Sequence, residues 1–467
     1  MSALAQAVRA GARDRPDAPA LIQEARRWTY AELEERGVAA AAALAAMGAR
    51  AGDTVALASS ATPDLAAFAY ACAFLDATFL PLNGAMPPAR RETLVATSGA
   101  RLVFGDDDLN PAPVTMAFTA GTPARPAPGP AADIEIIIAT SGSSGEPKGV
   151  MLTAENLVAA ARAAAARVPL GAGDTWLACL PLYHVGGLAI LYRCALAGAA
   201  VLLHDGFDTA AVARDLARHW ITHVSLVPPM LARLLDAGVV PHPRLRAAVV
   251  GGGELHAPLL RRALAAGWPA MPSYGMSETC AQVATLTNPG DDWAPGDCGR
   301  PLPGVQIEIV NPDDTGAGRI RVRGANVMAG YANPRHERGT GLTNGAFVTA
   351  DIGRIGERGH VVVLGRADDM LVTGGINVHP TEVERLLADC PGVAAAGVTG
   401  RSHGVWGDLV VALYEGSARE ADVEAWCRAC VPNNLRPRAF LRVDALPRAG
   451  LAKLDRAALR RLAASAG

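Results

Sequence analysis

The sequence predicts an α/β protein: a large region of parallel strands alternating with helices, then a mainly β stretch, then a smaller α+β unit. Three observations carry this. Strand-like apolar runs alternate with helical segments over residues 18–103 and again over 200–250. Over 305–363 the pattern changes to short strands separated by Gly, Asn and Asp turns. From Asp368 onward helix and strand patterns return in a compact unit.

In chain order, residues 31–47 and 63–75 read as helices and 54–58 between them as a strand. Residues 121–133, rich in Pro, Gly and Ala, read as a loop, and the β-branched run 134–139 after them as a buried strand. Strands are expected at 200–204, 223–227 and 245–250, alternating with helices at 209–219 and 229–236. In the last unit, helices are expected at 380–387 and 421–430 and strands at 393–399 and 410–414.

The chain has 467 residues, half of them apolar, enough for more than one domain and a large core. A formal net charge of -2 gives no electrostatic basis for a nucleic-acid or acidic-membrane partner. The N-terminus lacks a continuous apolar core of signal-peptide length. Ala-rich stretches such as 37–47 are too short to span a bilayer, so a cytoplasmic protein without a membrane span is expected. Cys427 and Cys430 form a C-x-x-C without a second pair or nearby histidines. They read as two positions on a helix face rather than as a zinc or redox site.

Of 43 Lys plus Arg, only Lys148 and Lys453 are lysines. A lysine that persists against such a bias marks a place where a compact ammonium is needed in place of a planar guanidinium. Lys148 closes the run Thr140, Ser141, Gly142, Ser143, Ser144, Gly145, Glu146, Pro147, Lys148, directly after the 134–139 strand. Hydroxyls and glycines at this density supply donors that wrap an anionic phosphate chain, and the lysine adds a point charge. The spacing is not that of a Walker A loop.

This run resembles the phosphate loop of the acyl-adenylate-forming superfamily, which includes acyl-CoA synthetases, luciferases and peptide-synthetase adenylation domains. Further segments resemble that family in the same order. Tyr274, Gly275, Met276, Ser277 and Glu278 resemble its Y-G-x-T-E element, with Ser277 in place of the threonine. The resemblance implies that Tyr274 packs on adenine, Ser277 contacts phosphate and Glu278 holds Mg²⁺. Gly251, Gly252 and Gly253, with Glu254 after them, resemble the segment lining the adenine and acyl pocket. Asp351, in Val348-Thr-Ala-Asp, matches the ribose-binding aspartate, with Ala350 where the family has glycine. The run 365–384 resembles the hinge: Arg366 would contact ribose or phosphate, Asp368 would be the pivot, and Gly374 and Gly375 would help form a pantetheine tunnel. Lys453, near the end, matches the catalytic lysine, with Ala452 in place of the usual glycine.

The resemblance therefore implies a large domain over 1–366 and a small mobile C-terminal domain over 367–467. It also implies an AMP-forming acid–thiol ligase with ATP, Mg²⁺ and CoA. In Pro181-Leu-Tyr-His184, the histidine would line the acyl pocket and gate it against CoA. The runs 193–208, 251–253 and 274–286 are most similar to the o-succinylbenzoate–CoA ligases of menaquinone biosynthesis. Such an enzyme needs a cation for the second carboxylate of its acid. Arg193 is the candidate, and an arginine on an exposed helix face is the alternative. Other aryl or medium-chain acyl-CoA synthetases and carrier-protein-loading enzymes share the motifs. The expected partners are a small carboxylic acid, ATP and CoA; a homodimer stands as one option for the assembly.

Overall fold

The computed structural model describes residues 2–105, 122–123, 133–140, 148–218, 220–290, 293–333, 337–373, 376–403, 407–433, 435–449 and 453–465. Two twisted sheets form the frame of the large region. The first runs in the order Gly330–Tyr331, Lys148–Thr153, Ile134–Thr140, Thr78–Asn83, Thr54–Ser59, Ala100–Gly105, Thr122–Pro123. The second runs Ala281–Thr285, Ala270–Met276, Ala247–Val250, His223–Leu226, Thr175–Ala178, Ala200–Leu203, Pro19–Gln23, Arg26–Thr29. Inner strands of both are parallel, and four of the second sheet are buried along their whole length. Burial on both faces explains why they read as continuous apolar runs rather than alternating ones.

Several edges are antiparallel, which the alternation did not foretell: Ile134–Thr140 with Lys148–Thr153, and Ala270–Met276 with Ala281–Thr285. These two hairpins carry most of the site. Thr122–Pro123, expected within a loop, pairs with Val103 and Leu102 at a sheet edge, where proline's missing N–H costs no ladder bond. The helix expected over 209–219 ends at Leu216 because its apolar stripe, Val212 and Leu216, ends there.

Two of the helices begin on reciprocal side-chain caps. Thr29 and Glu32 form a reciprocal capping box on Tyr30–Ala46, and Thr153 with Asn156 does the same for Ala154–Arg167. The β stretch is a four-stranded antiparallel sheet, Gln306–Val310, Gly318–Arg323, Phe347–Ile355, Val361–Arg366. The C-terminal unit has its own core, built from Leu371, Val383, Val398, Val410, Tyr414 and Cys427 on its sheet and helices. In helix Glu420–Cys430, Cys427 faces that core and Cys430 faces solvent.

Candidate active site

Thr140 and Lys148 face each other as the register pair that opens the 134–153 hairpin, and the Thr140 hydroxyl reaches the Lys148 carbonyl at 3.4 Å. Ser141, Gly142, Ser143, Ser144 and Gly145 lie outside the described residues. The base of the hairpin is clamped: the Gly149 N–H donates to Asn333 Oδ1 at 2.9 Å, and the Ala332 N–H donates to the Gly149 carbonyl. A Cβ at Gly149 would lie 2.8 Å from Ile137, so only glycine fits between the strands.

The second hairpin brings Tyr274 and Glu278 to the same region. Gly275 lets its strand turn against the return strand; a Cβ there would stand 1.8 Å from the Ala281 carbonyl oxygen. The Tyr274 hydroxyl donates to Asp351 Oδ2 at 2.6 Å. That bond joins the aromatic ring expected at the base to the carboxylate expected at the ribose. The Asp351 N–H donates to Thr349 Oγ1, which holds the backbone at Ala350 without the glycine. Ser277 opens the short turn Ser277–Thr279, and Glu278 in its centre is half-buried. The Glu278 carbonyl accepts from the Met328 N–H, and its carboxylate accepts from the Tyr331 hydroxyl at 2.8 Å.

Arg366 pairs across the strands with Asp351 and donates to Asp368 in the turn Ala367–Asp369. Its guanidinium thus links the expected ribose aspartate to the expected pivot. Gly374 and Gly375 lie outside the described residues, between Leu371–Thr373 and Ile376–Val378.

Lys453 arrives from the C-terminal unit on a two-stranded hairpin in which it pairs with Ala449. Ala452 is outside the described residues. Water reaches the lysine side chain, yet the surrounding walls lower its pKa, chiefly by burial; Asp351 and Glu278 pull it back up, and Arg366 opposes them. The same ammonium helps depress His184, whose pKa burial takes down to about 4. His184 is therefore a neutral imidazole at neutral pH, seated before helix Val185–Ala197 with Tyr183 edge-on at 4.8 Å. Lys453 thus lies within electrostatic range of His184, Asp351 and Glu278.

After Ala247–Val250 the chain turns through Gly251, Gly252 and Gly253. Gly252 has φ +72°, a conformation that needs glycine, and Gly252 and Gly253 expose their backbone. A Cβ on Gly251 would sit 3.0 Å from the Ser273 carbonyl, whereas Gly253 has room for one.

Arg193 is not on an exposed helix face. It is 6% exposed, its Nε has no hydrogen-bond partner, and its guanidinium lies over Trp176, 5.6 Å from the ring centroid. Burial lowers its pKa to about 10, so the cation persists. Trp176 also stacks on His223, which burial depresses to about 4. His223 is bonded to Thr222 and the Pro169 carbonyl. The unfolded histidine titrates near about 6.5. The unfolded chain therefore binds an extra proton between pH 6.5 and 4, and stability falls as pH falls through that window. A urea series should show the midpoint dropping there, with H223Q flattening the slope.

Sequence reasoning missed two functional neighbours, Tyr331 and Arg385. Tyr331 lies outside every segment singled out above and emerges from strand pairing. Glu254 was read as part of a lining segment, but its carboxylate bonds Arg385 of helix Pro380–Leu387, one residue beyond the hinge run. Burial raises Glu254 to about 7, against the pull of Arg385. Arg456 completes the small unit's network. It bonds the buried Glu384 and the Val398 carbonyl, and its Nε lies 3.5 Å from Asp369.

The chain belongs to the AMP-binding enzyme family. Residues 8–332 match the AMP-binding enzyme model and 382–453 that of the AMP-binding enzyme C-terminal domain. The chain is similar to the 2-succinylbenzoate–CoA ligase of Bacillus pumilus, 32% identical over 463 residues, covering 94% of each. Its structure is similar to o-succinylbenzoate CoA synthetase from Bacillus subtilis in complex with the acyl-adenylate intermediate, with a TM-score of 0.86, 30% identity and 97% of each chain covered. The complex of that enzyme with ATP and magnesium ion gives 0.85 and 30%, covering 97% of this chain and 98% of that one. The family, the fold class and the most similar group read from the motifs all hold.

Proposed function

We propose that this chain is an AMP-forming o-succinylbenzoate–CoA ligase: the acid attacks the α-phosphate of ATP to give the acyl-adenylate with release of pyrophosphate, and the acyl group then passes to the CoA thiol with release of AMP. One observation carries the reading: Lys453 reaches from the C-terminal unit into electrostatic range of Asp351, Glu278 and His184. In-line attack of a carboxylate on an α-phosphate brings two anions together, so catalysis is mostly positioning and charge neutralisation. Lys453 bridges the carboxylate and the α-phosphate. Asp351 takes the ribose hydroxyls, Tyr274 the base, and Thr140, residues 141–145, Ser277 and Lys148 the phosphates.

Mg²⁺ suits this donor set. Among the described residues no three His, Cys, Asp or Glu side chains converge into a closed cage. A single carboxylate, Glu278, beside phosphate oxygens is what this hard cation uses. When bound it neutralises phosphate charge. The uncharged His184 can border the acyl group without attracting the reacting carboxylate away from Lys453. Gly251 to Gly253 present backbone to the same pocket, and Arg193 receives the remote carboxylate of the acid.

The domains divide at 366/367, with Asp368 as the pivot that withdraws Lys453 and lets Gly374 and Gly375 line the thiol channel. No helix among the described residues is long and apolar enough to cross a membrane; a cytoplasmic location belongs to this proposal. ATP–pyrophosphate exchange over o-succinylbenzoate, benzoate and medium-chain fatty acids tests it. The expected result is strong exchange with o-succinylbenzoate and thioester formation on free CoA. Exchange without a thioester would point to carrier loading, and preference for a monocarboxylate would sink the substrate assignment.

A further inference from the structure

Tyr331 stands between the two phosphate-handling groups of the large region. Its strand, Gly330–Tyr331, pairs antiparallel with Lys148–Thr153 in the register Tyr331 opposite Val150, two residues from Lys148. The Lys148 ammonium lies over the Tyr331 ring, 5.0 Å from its centroid. The hydroxyl of the same ring donates to Glu278 Oε1 at 2.8 Å. The ring is held on several sides. The Tyr331 N–H donates to the Thr340 carbonyl, Phe347 meets the ring edge-on at 6.4 Å, and a Cβ on Gly341 would come 2.5 Å from it. Glu278 is braced by the same segment, through the Met328 N–H on its carbonyl and the Asn326 amide on Thr279.

We infer that Tyr331 is a positioning residue that aims Glu278 and Lys148 at one metal–triphosphate unit. The inference rests on the roles given to those two residues above. With Oε1 engaged by the hydroxyl, Oε2 receives no side-chain bond among the described residues and is left for a hard cation. A half-buried glutamate without that bond would rotate between several rotamers and lose the direction of its free oxygen. The ring face fixes the ammonium electrostatically without adding a carboxylate that would compete for the metal. One side chain thus contacts the cation with its ring face and the anion with its hydroxyl. A tyrosine that served packing alone would have no need of both contacts; phenylalanine would fill the slot.

The test separates hydroxyl from ring. Y331F, Y331L and E278Q are compared with the parent enzyme in two measurements. One is Mn²⁺ binding by electron paramagnetic resonance to enzyme saturated with α,β-methylene-ATP. The other is ATP–pyrophosphate exchange as free Mg²⁺ is raised. Y331F is expected to weaken Mn²⁺ binding about tenfold and to shift the Mg²⁺ midpoint by a similar factor, with the parent rate regained at high Mg²⁺. Y331L should show the same shift and, in addition, a KM for ATP raised about fivefold from loss of the ring face. Recovery at high Mg²⁺ distinguishes positioning from misfolding, because a damaged fold is not repaired by the ion. Parent-like Mn²⁺ and Mg²⁺ curves in Y331F, with both lost in E278Q, would overturn the role of Tyr331 and leave that of Glu278 standing. A Y331F deficit that Mg²⁺ does not restore would overturn it as well. Unchanged Mn²⁺ binding in E278Q would instead remove the reading of Glu278 on which the inference rests.

Discussion

Replacing Lys453 with alanine is expected to lower ATP–pyrophosphate exchange by about 100- to 1,000-fold, the scale set by removing one preorganised charge from a developing anion. Thioester formation from supplied acyl-adenylate should stay near the parent rate. The asymmetry follows from where the lysine comes from. Its hairpin belongs to the C-terminal unit, whereas Asp351 and Glu278, whose charges it feels, belong to the large region. Only the first half-reaction brings two anions together. Lys453→Arg should rescue little, since a planar fork cannot take the place of a compact ammonium between two oxygens. Pyrophosphate exchange and a CoA-thioester assay on the same preparation decide the matter; equal loss in both would remove Lys453 from its role.

Arg193→Met is expected to raise KM for o-succinylbenzoate by about 100-fold, the cost of leaving a carboxylate unpaired in a buried pocket. Benzoate, which has no second carboxylate, should not be penalised. The variant should fold. Arg193 is almost fully buried, stacks on Trp176 and has an Nε with no partner, so the folded chain carries an incompletely satisfied charge. Replacing such a group by an apolar chain of similar volume is neutral or stabilising. The urea midpoint of Arg193→Met should therefore hold or rise while its acid selectivity is lost. Equal penalties on both acids would mean that the guanidinium only packs.

Much of the site was legible because its chemistry restricts residue type. Phosphate wrapping asks for hydroxyls, glycine and a cation, so Thr140 and Lys148 could be found on those grounds, whereas Glu278 and Asp351 emerged from their resemblance to the family's motifs. The burial of Arg193 had a signal that went unused. Helix Val185–Ala197 is apolar on nearly all sides, and a helix of that kind lies inside a protein, so a charge within it must lie inside too. Tyr331 had no such signal. It sits on a strand of two residues whose partner lies about 180 positions earlier, and nothing local marks a pairing of that range. Antiparallel edges were invisible for a related reason. A buried strand shows the same apolar run whichever way its neighbour points, so direction emerges only from the assembled sheet. Arg385 lay one position past the recognisable run, and its meaning depends on Glu254 across the interface.

The grip of Arg456 on Glu384, Val398 and Asp369 has a mechanical meaning. It ties the stretch just after Lys453 to the turn that holds Asp368. If Asp368 pivots as proposed above, lysine and pivot would form the two ends of one stiff arm, and rotation at the turn would pass to the ammonium without slack. Weakening the brace would then cost the timing of the lysine's arrival and departure before it cost any contact of the site.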